Sequence, residues 1–396
     1  MSDKPRILFF SWTLPKRGSG ANLAMYRHFV QNDDFEVFVI SNQELSEDVP
    51  LPSYTLPRSE RIDRLRSTRA ARLVTQYEML VHARRLPRRV YEIVQEFKPE
   101  AIMTIPDHNI SWAAWRLARE TGLPFVTNFQ DWWPRGQFYY DFERPYPPVR
   151  ALLERRMRRM YQDSALAFCT SDGFKEYLGA HPNAHTLYPI SERDNSECPP
   201  IQPSDKPSIK ILYTGTPFGS YGRLLLEFIG ETEKNADIEV VVYGAEPDWP
   251  KEVTERLRAA GIYRGFIPFD QLKAKLAEAD AFLAIMSFDP ALEVMMRTSF
   301  TTKVLDYCRR ARPVIVWGPD FCQPVKVIDR AGAGITVTSP DPKDVLAAAR
   351  QLKGDTEAQR RMSEAAWELS QTLFKHDNIH EVFRRELTRI CRGDAL

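Results

Sequence analysis

The chain has 396 residues, 43% of them hydrophobic and 27% charged, with a formal net charge of +1. This length exceeds what one hydrophobic core usually serves, so two domains are expected. Near-zero net charge argues against nucleic acid as an obligate partner, and no uncharged apolar run reaches the roughly 18 residues a membrane span needs.

The N-terminus, MSDKPRILFF, passes from a polar start straight into a strand-like run. It has neither the apolar core of a signal peptide nor an Arg/Ser-rich transit pattern, so cytoplasmic residence is expected. Five cysteines (Cys169, Cys198, Cys308, Cys322 and Cys391) are far apart and form no C-x-x-C. They suggest neither a disulfide framework nor a zinc site.

After ILFFSW, which begins at Ile7, come Gly18, Ser19 and Gly20 and then an apolar helical stretch. The dinucleotide fingerprint G-x-G-x-x-G would need glycine where Leu23 stands, and an acidic residue closing the second strand where Asn42 stands. No Gly-Lys-Ser/Thr follows, which excludes a P-loop. What remains is a glycine turn whose amides, with the helix start behind it, can meet a phosphate or a sugar. The alternative is a tight turn serving connectivity alone.

Further short β-branched or aromatic runs follow: EVFVIS at 36, AIMTIP at 101, FVTNF at 125 and LAFCTS at 166. Helix-like stretches separate them, the pattern of βαβ units on a parallel sheet. Between Arg58 and Arg89 stand ten arginines (58, 61, 64, 66, 69, 72, 84, 85, 88 and 89) with only three carboxylates, Glu60, Asp63 and Glu78, and RALLERRMRR from Arg150 adds five more against Glu154. This basic stretch reads either as a surface for anionic lipid or as a solvated helix with local ion pairs.

Residues 191–208 form a polar, proline-rich interval expected to link an N-terminal domain (1–190) to a second one (209–356). Alternation then resumes with IKILYTG at 209, IEVVVYG at 238, YRGFIP at 263, AFLAIM at 281, PVIVWG at 313 and AGITV at 333. Two doubly wound α/β domains are expected, with ligands in a cleft at the C-terminal ends of their strands. Residues 357–396 are expected to be helical, anchored by Trp367, Phe374 and Phe383, and to cross back to the first domain.

The segment MMRTSFTTKVLDYCRRARPVIVWGP, 295–319, carries the most chemistry. Ser299 reads as a helix N-cap, with Lys303, Asp306 and Tyr307 on one face beyond it. Free amides at the helix start, the Thr301 and Thr302 hydroxyls and the Lys303 ammonium suit a diphosphate, while Asp306 can accept from ribose hydroxyls one turn on. The plainer alternative is a solvated Lys303–Asp306 pair.

With GFIPFDQLKAKLAEADAFLAI before it, SFTTKVLDYCRRARPVIVWGP resembles the donor-binding half of the sugar-nucleotide-dependent glycosyltransferases of the GT-B fold. The likeness is to the retaining branch of bacterial polysaccharide and lipopolysaccharide assembly. It covers about 209–350 and, more thinly, the opening glycine loop (Gly18, Ser19, Gly20) and TNFQDWWP in the N-terminal half. The resemblance implies that Asp306 stands at the ribose-binding acid and that Lys303, Ser299, Thr301 and Thr302 lie at the diphosphate. It also implies that Tyr263 to Phe266, including Arg264, frame the nucleobase, and that Gly215 and Thr216 form the turn after the first donor-domain strand, with Arg223 as the nearest cation. Asp306 replaces the family's glutamate, Thr301 its proline and Ala311 its glycine, and Thr298 stands where the family's fuller motif has an acid. The second cation usual in the 213–228 loop is missing.

On the acceptor side, Asp131 can orient a hydroxyl or act as a base, or simply cap a turn. Trp132 and Trp133 are candidates to stack on a sugar, or packing residues, and Asp107 and His108 in PDHN are further candidates. No D-x-D occurs, so a metal-chelated diphosphate is not expected, and no cofactor is implied beyond a nucleoside-diphosphate sugar as donor. The expected reaction is retaining, metal-free transfer of a sugar to a glycan or lipid-linked acceptor. The alternatives are an inverting transferase with Asp131 as base, an inactive sugar-nucleotide-binding scaffold and, less favoured, a sugar-nucleotide epimerase.

Overall fold

A computed structural model describes residues 4–18, 20–57, 60–66, 68–81, 86–135, 144–193, 196–201 and 203–393. The chain divides into two compact units, one formed by Met1–Glu192 with Ile379–Leu396, the other by Arg193–Asn378.

The first unit holds seven parallel strands: β1 (Arg6–Phe10), β2 (Glu36–Ser41), β3 (Ser53–Thr55), β4 (Ala101–Thr104), β5 (Phe125–Phe129), β6 (Leu166–Cys169) and β7 (Ala184–Thr186). Their order is β3-β2-β1-β4-β5-β6-β7, with Phe10 beside Ile40 and Ile7 beside Ala101. Parallel strands lie between helices on both faces, which is why β1 and β4 are almost unbroken apolar runs with Ile7 to Phe10 and Ala101 to Met103 fully buried. From β1 the chain fills the sheet toward β3; from β4 it fills the other way. The gap between the C-terminal ends of β1 and β4 is the topological switch point, where open α/β sheets bind ligands.

The second unit repeats the plan with β8 (Ile209–Thr214), β9 (Ile238–Tyr243), β10 (Ala281–Ile285), β11 (Val314–Trp317) and β12 (Gly334–Val337), ordered β12-β11-β10-β8-β9. Its switch point lies between β8 and β10. YRGFIP is not a strand: Tyr263 forms a single bridge to Val242, and Gly265, in the left-handed region, turns the chain away. Residues expected to form a loose linker are tied down at Ser204, whose amide donates to Gln359 Oε1 at 2.7 Å and whose carbonyl accepts from Gln359 Nε2.

The last helix, His376–Arg392, begins in the second unit and packs its apolar stripe of Ile379, Phe383 and Leu387 into the first. Phe383 lies fully buried among His28, Phe29, Phe35 and Phe168. Beside it, His380 bridges Asp34 at 2.6 Å and His28 at 3.0 Å. Phe374 is buried as well, whereas Trp367 is half-buried. Among the described residues no helix is long and apolar enough to cross a membrane.

Candidate active site

At the switch point of the second unit, β8 ends in Tyr213 and Thr214 and gives way to Gly215, at φ +120°. A Cβ at Gly215 would collide with Cε and Nζ of Lys303, and one at Gly244 would collide with the Gly215 carbonyl. Backbone and lysine therefore meet at a distance only glycine allows. Lys303, on the helix Thr302–Cys308, donates from Nζ to Tyr213 Oη at 2.9 Å and lies 4.3 Å from that ring's centroid. Burial lowers the pKa of this ammonium below the ordinary lysine value. Four residues on, Tyr307 stacks on Phe282 at 4.3 Å, and its hydroxyl lies 2.9 Å from both the amide and the hydroxyl of Thr214. Burial pushes the Tyr307 phenol up to about 12. The helix bearing Lys303 and Asp306 is thus bolted to the end of β8 through two tyrosines.

Ser299 is not the N-cap of that helix. It closes the preceding short helix, Glu293–Thr298, its amide donating to Met295 O at 2.8 Å. The chain then runs extended to Thr301, which occupies the N-cap position without a side-chain cap. Two short helices with an extended joint replace the single one expected, and the Thr298 hydroxyl, donating back to Val294 O, helps end the first. Thr302 is exposed, while Thr301 and Asp306 are half-buried.

Main-chain pairing fixes the 263–266 segment beside β9: Arg264 N donates to Val242 O at 2.8 Å and Gly244 N to Gly265 O at 3.0 Å. Arg264 is exposed, and Phe266 and Phe218 stand 75% and 53% exposed. Thr216 is exposed in the loop after Gly215. Arg223 is exposed on the helix Gly219–Thr232, 3.9 Å from Glu227, and no described contact joins it to Gly215 or Lys303.

At the switch point of the first unit, Thr13 donates to Asp107 Oδ2, spanning the ends of β1 and β4. Asp107 Oδ1 is buried with no hydrogen-bond partner. Burial, with the Asp131 charge nearby, pushes the Asp107 carboxyl up to about 7. Asp131 is exposed on the loop after β5. His108, at the N-cap position of the helix Asn109–Thr121, is sandwiched between rings: Trp12 at 5.3 Å and 13° on one side, Trp133 at 5.8 Å and 12° on the other.

Neither tryptophan expected to stack on a sugar offers an open face. Trp132 is 0% exposed, wedged against Tyr177 and Phe174, and Trp133 is buried beneath His108. A tight turn over Trp133–Arg135 folds both indoles inward, where their area is worth more than at the rim. Trp12, on the other side of His108, is 38% exposed. Gly18 and Gly20 have open space around them, at φ +154° and +59°, so glycine serves the conformation of the turn and not a close approach. Ser19 lies outside the described residues.

Residues 18–187, all in the first unit, match the family described as Glycosyl transferase 4-like domain. No curated protein matches the chain. Among solved structures, sucrose-phosphate synthase from Thermosynechococcus elongatus is similar with a TM-score of 0.69, over 99% of this chain and 100% of that one, at 11% identity. HepE from Anabaena, solved in complex with UDP, gives 0.64 over 97% and 99% at 13% identity. A glycosyltransferase from Rickettsia africae gives 0.63 over 100% of both chains at 12% identity.

The fold is GT-B.

On this GT-B frame both clusters occupy equivalent places, each at the C-terminal edge of its sheet where strand order reverses. Among the described residues no three His, Cys, Asp or Glu side chains gather as a metal site. Sequence reasoning passed over Trp12, Thr13, Tyr213 and Gly244. The available signal was their position: each lies within three residues of a strand's C-terminal end.

Proposed function

We propose that the chain is a glycosyltransferase that moves a sugar from a nucleoside-diphosphate sugar to a glycan or lipid-linked acceptor, with retention and without a metal ion. The observation that carries this reading is the Lys303 ammonium held against Gly215 at the end of β8. Glycosyl transfer passes through an oxocarbenium-like state, and much of its barrier is the charge gathering on the departing diphosphate. A half-buried lysine whose charge is disfavoured by burial gains most from such a partner, because the incoming anion restores what desolvation took away. The amides of Gly215 and of the Thr302–Cys308 helix start, with Thr301, Thr302 and Ser299, then share the phosphate oxygens, and Asp306 takes the ribose hydroxyls. Arg264 and Phe266 take the base and Arg223 is a further donor contact in the same unit, while Gly18, Ser19 and Gly20 of the first unit offer a turn for a phosphate or a sugar. On the acceptor side Asp107, His108 and Asp131 receive the incoming hydroxyl. The setting is bacterial polysaccharide or lipopolysaccharide assembly at the cytoplasmic face of a membrane, with the basic helices of the first unit touching anionic lipid.

Inversion with Asp131 as base is a second reading, favoured by one observation: Asp107 beside it is pushed up to about 7, where a carboxyl can pass a proton at neutral pH.

The test incubates the full chain with UDP-, GDP- and dTDP-sugars, following thermal shift and slow donor hydrolysis. At least one donor is expected to raise the melting temperature and to be hydrolysed, with chelator present or absent. Lys303→Ala should lower turnover by about 10²–10³. A shift without turnover would mark a scaffold, strict metal dependence would contradict the metal-free step, and no shift with any nucleotide would remove the reading.

A further inference from the structure

Trp12 follows β1 by two residues, at the switch point of the first sheet. Its inner face lies parallel to His108, which lies parallel to buried Trp133, so three rings form one pile anchored at its base. Gln43 Nε2 donates to the Trp12 carbonyl at 3.1 Å, tying the loop to the end of β2. The indole is therefore held in place before any ligand arrives, and little rotamer freedom is left to lose on binding. Leaving this tryptophan 38% exposed sacrifices burial that Trp132 obtains in full.

The chemistry around the ring narrows what would cover it. Thr13, next to Trp12, is bonded to Asp107 beyond the end of β4, and exposed Asp131, two residues after β5, is close enough for its charge to act on Asp107. Carboxylates repel a phosphate and are a poor rim for an acyl chain. They accept hydrogen bonds from hydroxyls. A pyranose ring presents both needed surfaces: an apolar face of C–H groups for the indole and a rim of hydroxyl donors for the exposed acid.

We infer that the outer face of Trp12 is a stacking platform for an uncharged pyranose ring, with the exposed Asp131 accepting from that ring's hydroxyls. Its role as the acceptor subsite rests on the glycosyl-transfer reading, which it sharpens: the acceptor presents a neutral sugar and not a bare lipid phosphate.

The experiment is saturation-transfer NMR on the full chain with the methyl glycosides of glucose, galactose, mannose and N-acetylglucosamine. Wild type, Trp12→Ala and Trp12→Phe are compared, and nucleotide-induced thermal shift is measured on each. Wild type should transfer saturation to ring C–H protons of at least one glycoside. Trp12→Ala should weaken that binding about tenfold or more, Trp12→Phe should keep part of it, and the nucleotide shift should be the same in all three. If Trp12→Ala does not fold, Trp12→Gln and Asp131→Asn take its place, each expected to weaken the same signal. No transfer to any glycoside in the wild type, or equal transfer in wild type and the variants, overturns the platform. A sugar signal that depends on Trp12 in a protein showing no nucleotide shift would leave the platform standing and remove the transferase reading instead.

Discussion

At the end of β8, a lysine and a glycine share one space: the φ of Gly215 and the path of Lys303 exclude a side chain there. Asp107 at the other switch point is a contrasting case, a carboxyl with one oxygen bonded and the other orphaned. Its pKa is raised from 3.8 to about 7, so between those values the folded protein holds more protons than the unfolded chain, and stability falls as pH rises through that window. Asp107→Asn keeps an acceptor for Thr13 and removes the buried charge. The variant should match wild type near pH 4 and exceed it increasingly as pH rises, by on the order of 4 kcal/mol above pH 7, read by denaturant unfolding. A constant difference across that range would deny the shift. At this scale the sequence was only partly legible. Residue type singled out Lys303 and Asp107, but Ser299 was misread because a serine can close a helix as readily as open one. Trp132 and Trp133 were misread because burial is decided by elements far away in the chain.

Among the elements, the long buried strands were legible, since parallel strands covered on both faces must be apolar throughout. Strands β3 and β7 were not: three residues each, at opposite edges of the sheet, they carry too few apolar side chains to signal. The basic helices are a mixed case. Arg88 and Arg89 pair with Glu92 and Glu96, Arg64 with Glu60 and Arg66 with Glu78, while Arg84 and Arg85 lie outside the described residues. Leu65, Leu73 and Tyr77, on the helices Glu60–Arg66 and Ala71–Val81, are nevertheless exposed. Nearby, the helix Pro147–Asp163 lines a groove of about 710 Å³ with Trp112, Arg155, Arg156, Arg158 and Arg159. Exposed apolar side chains amid arginines suit an anionic bilayer surface. Replacing Arg69, Arg72 and Arg155 together with glutamine should cost about 1 kcal/mol each in retention on phosphatidylglycerol vesicles at low salt. Equal sedimentation of wild type and variant would assign these helices to solvent.

For the molecule as a whole, the alternation of strands and helices made the two-sheet plan readable and the aromatic residues of the tail pointed to its return to the first domain, whereas the partners it meets there are set by tertiary packing. Phe383 closes the aromatic core of the first unit from the far end of the chain. Phe383→Ala should destabilise that unit by about 3–5 kcal/mol through the cavity it leaves, seen as earlier unfolding of the first unit in denaturant. Unchanged unfolding would mean the helix is dispensable to that core.

The helix His376–Arg392 also sets an order of events during synthesis. Domains generally complete themselves as they leave the ribosome, the N-terminal one first. Here the first unit cannot close its core until His376–Arg392 has been translated, so strands made earlier wait on a helix made after the second unit, and a gene cut after Glu192 would encode a sheet with its lid missing.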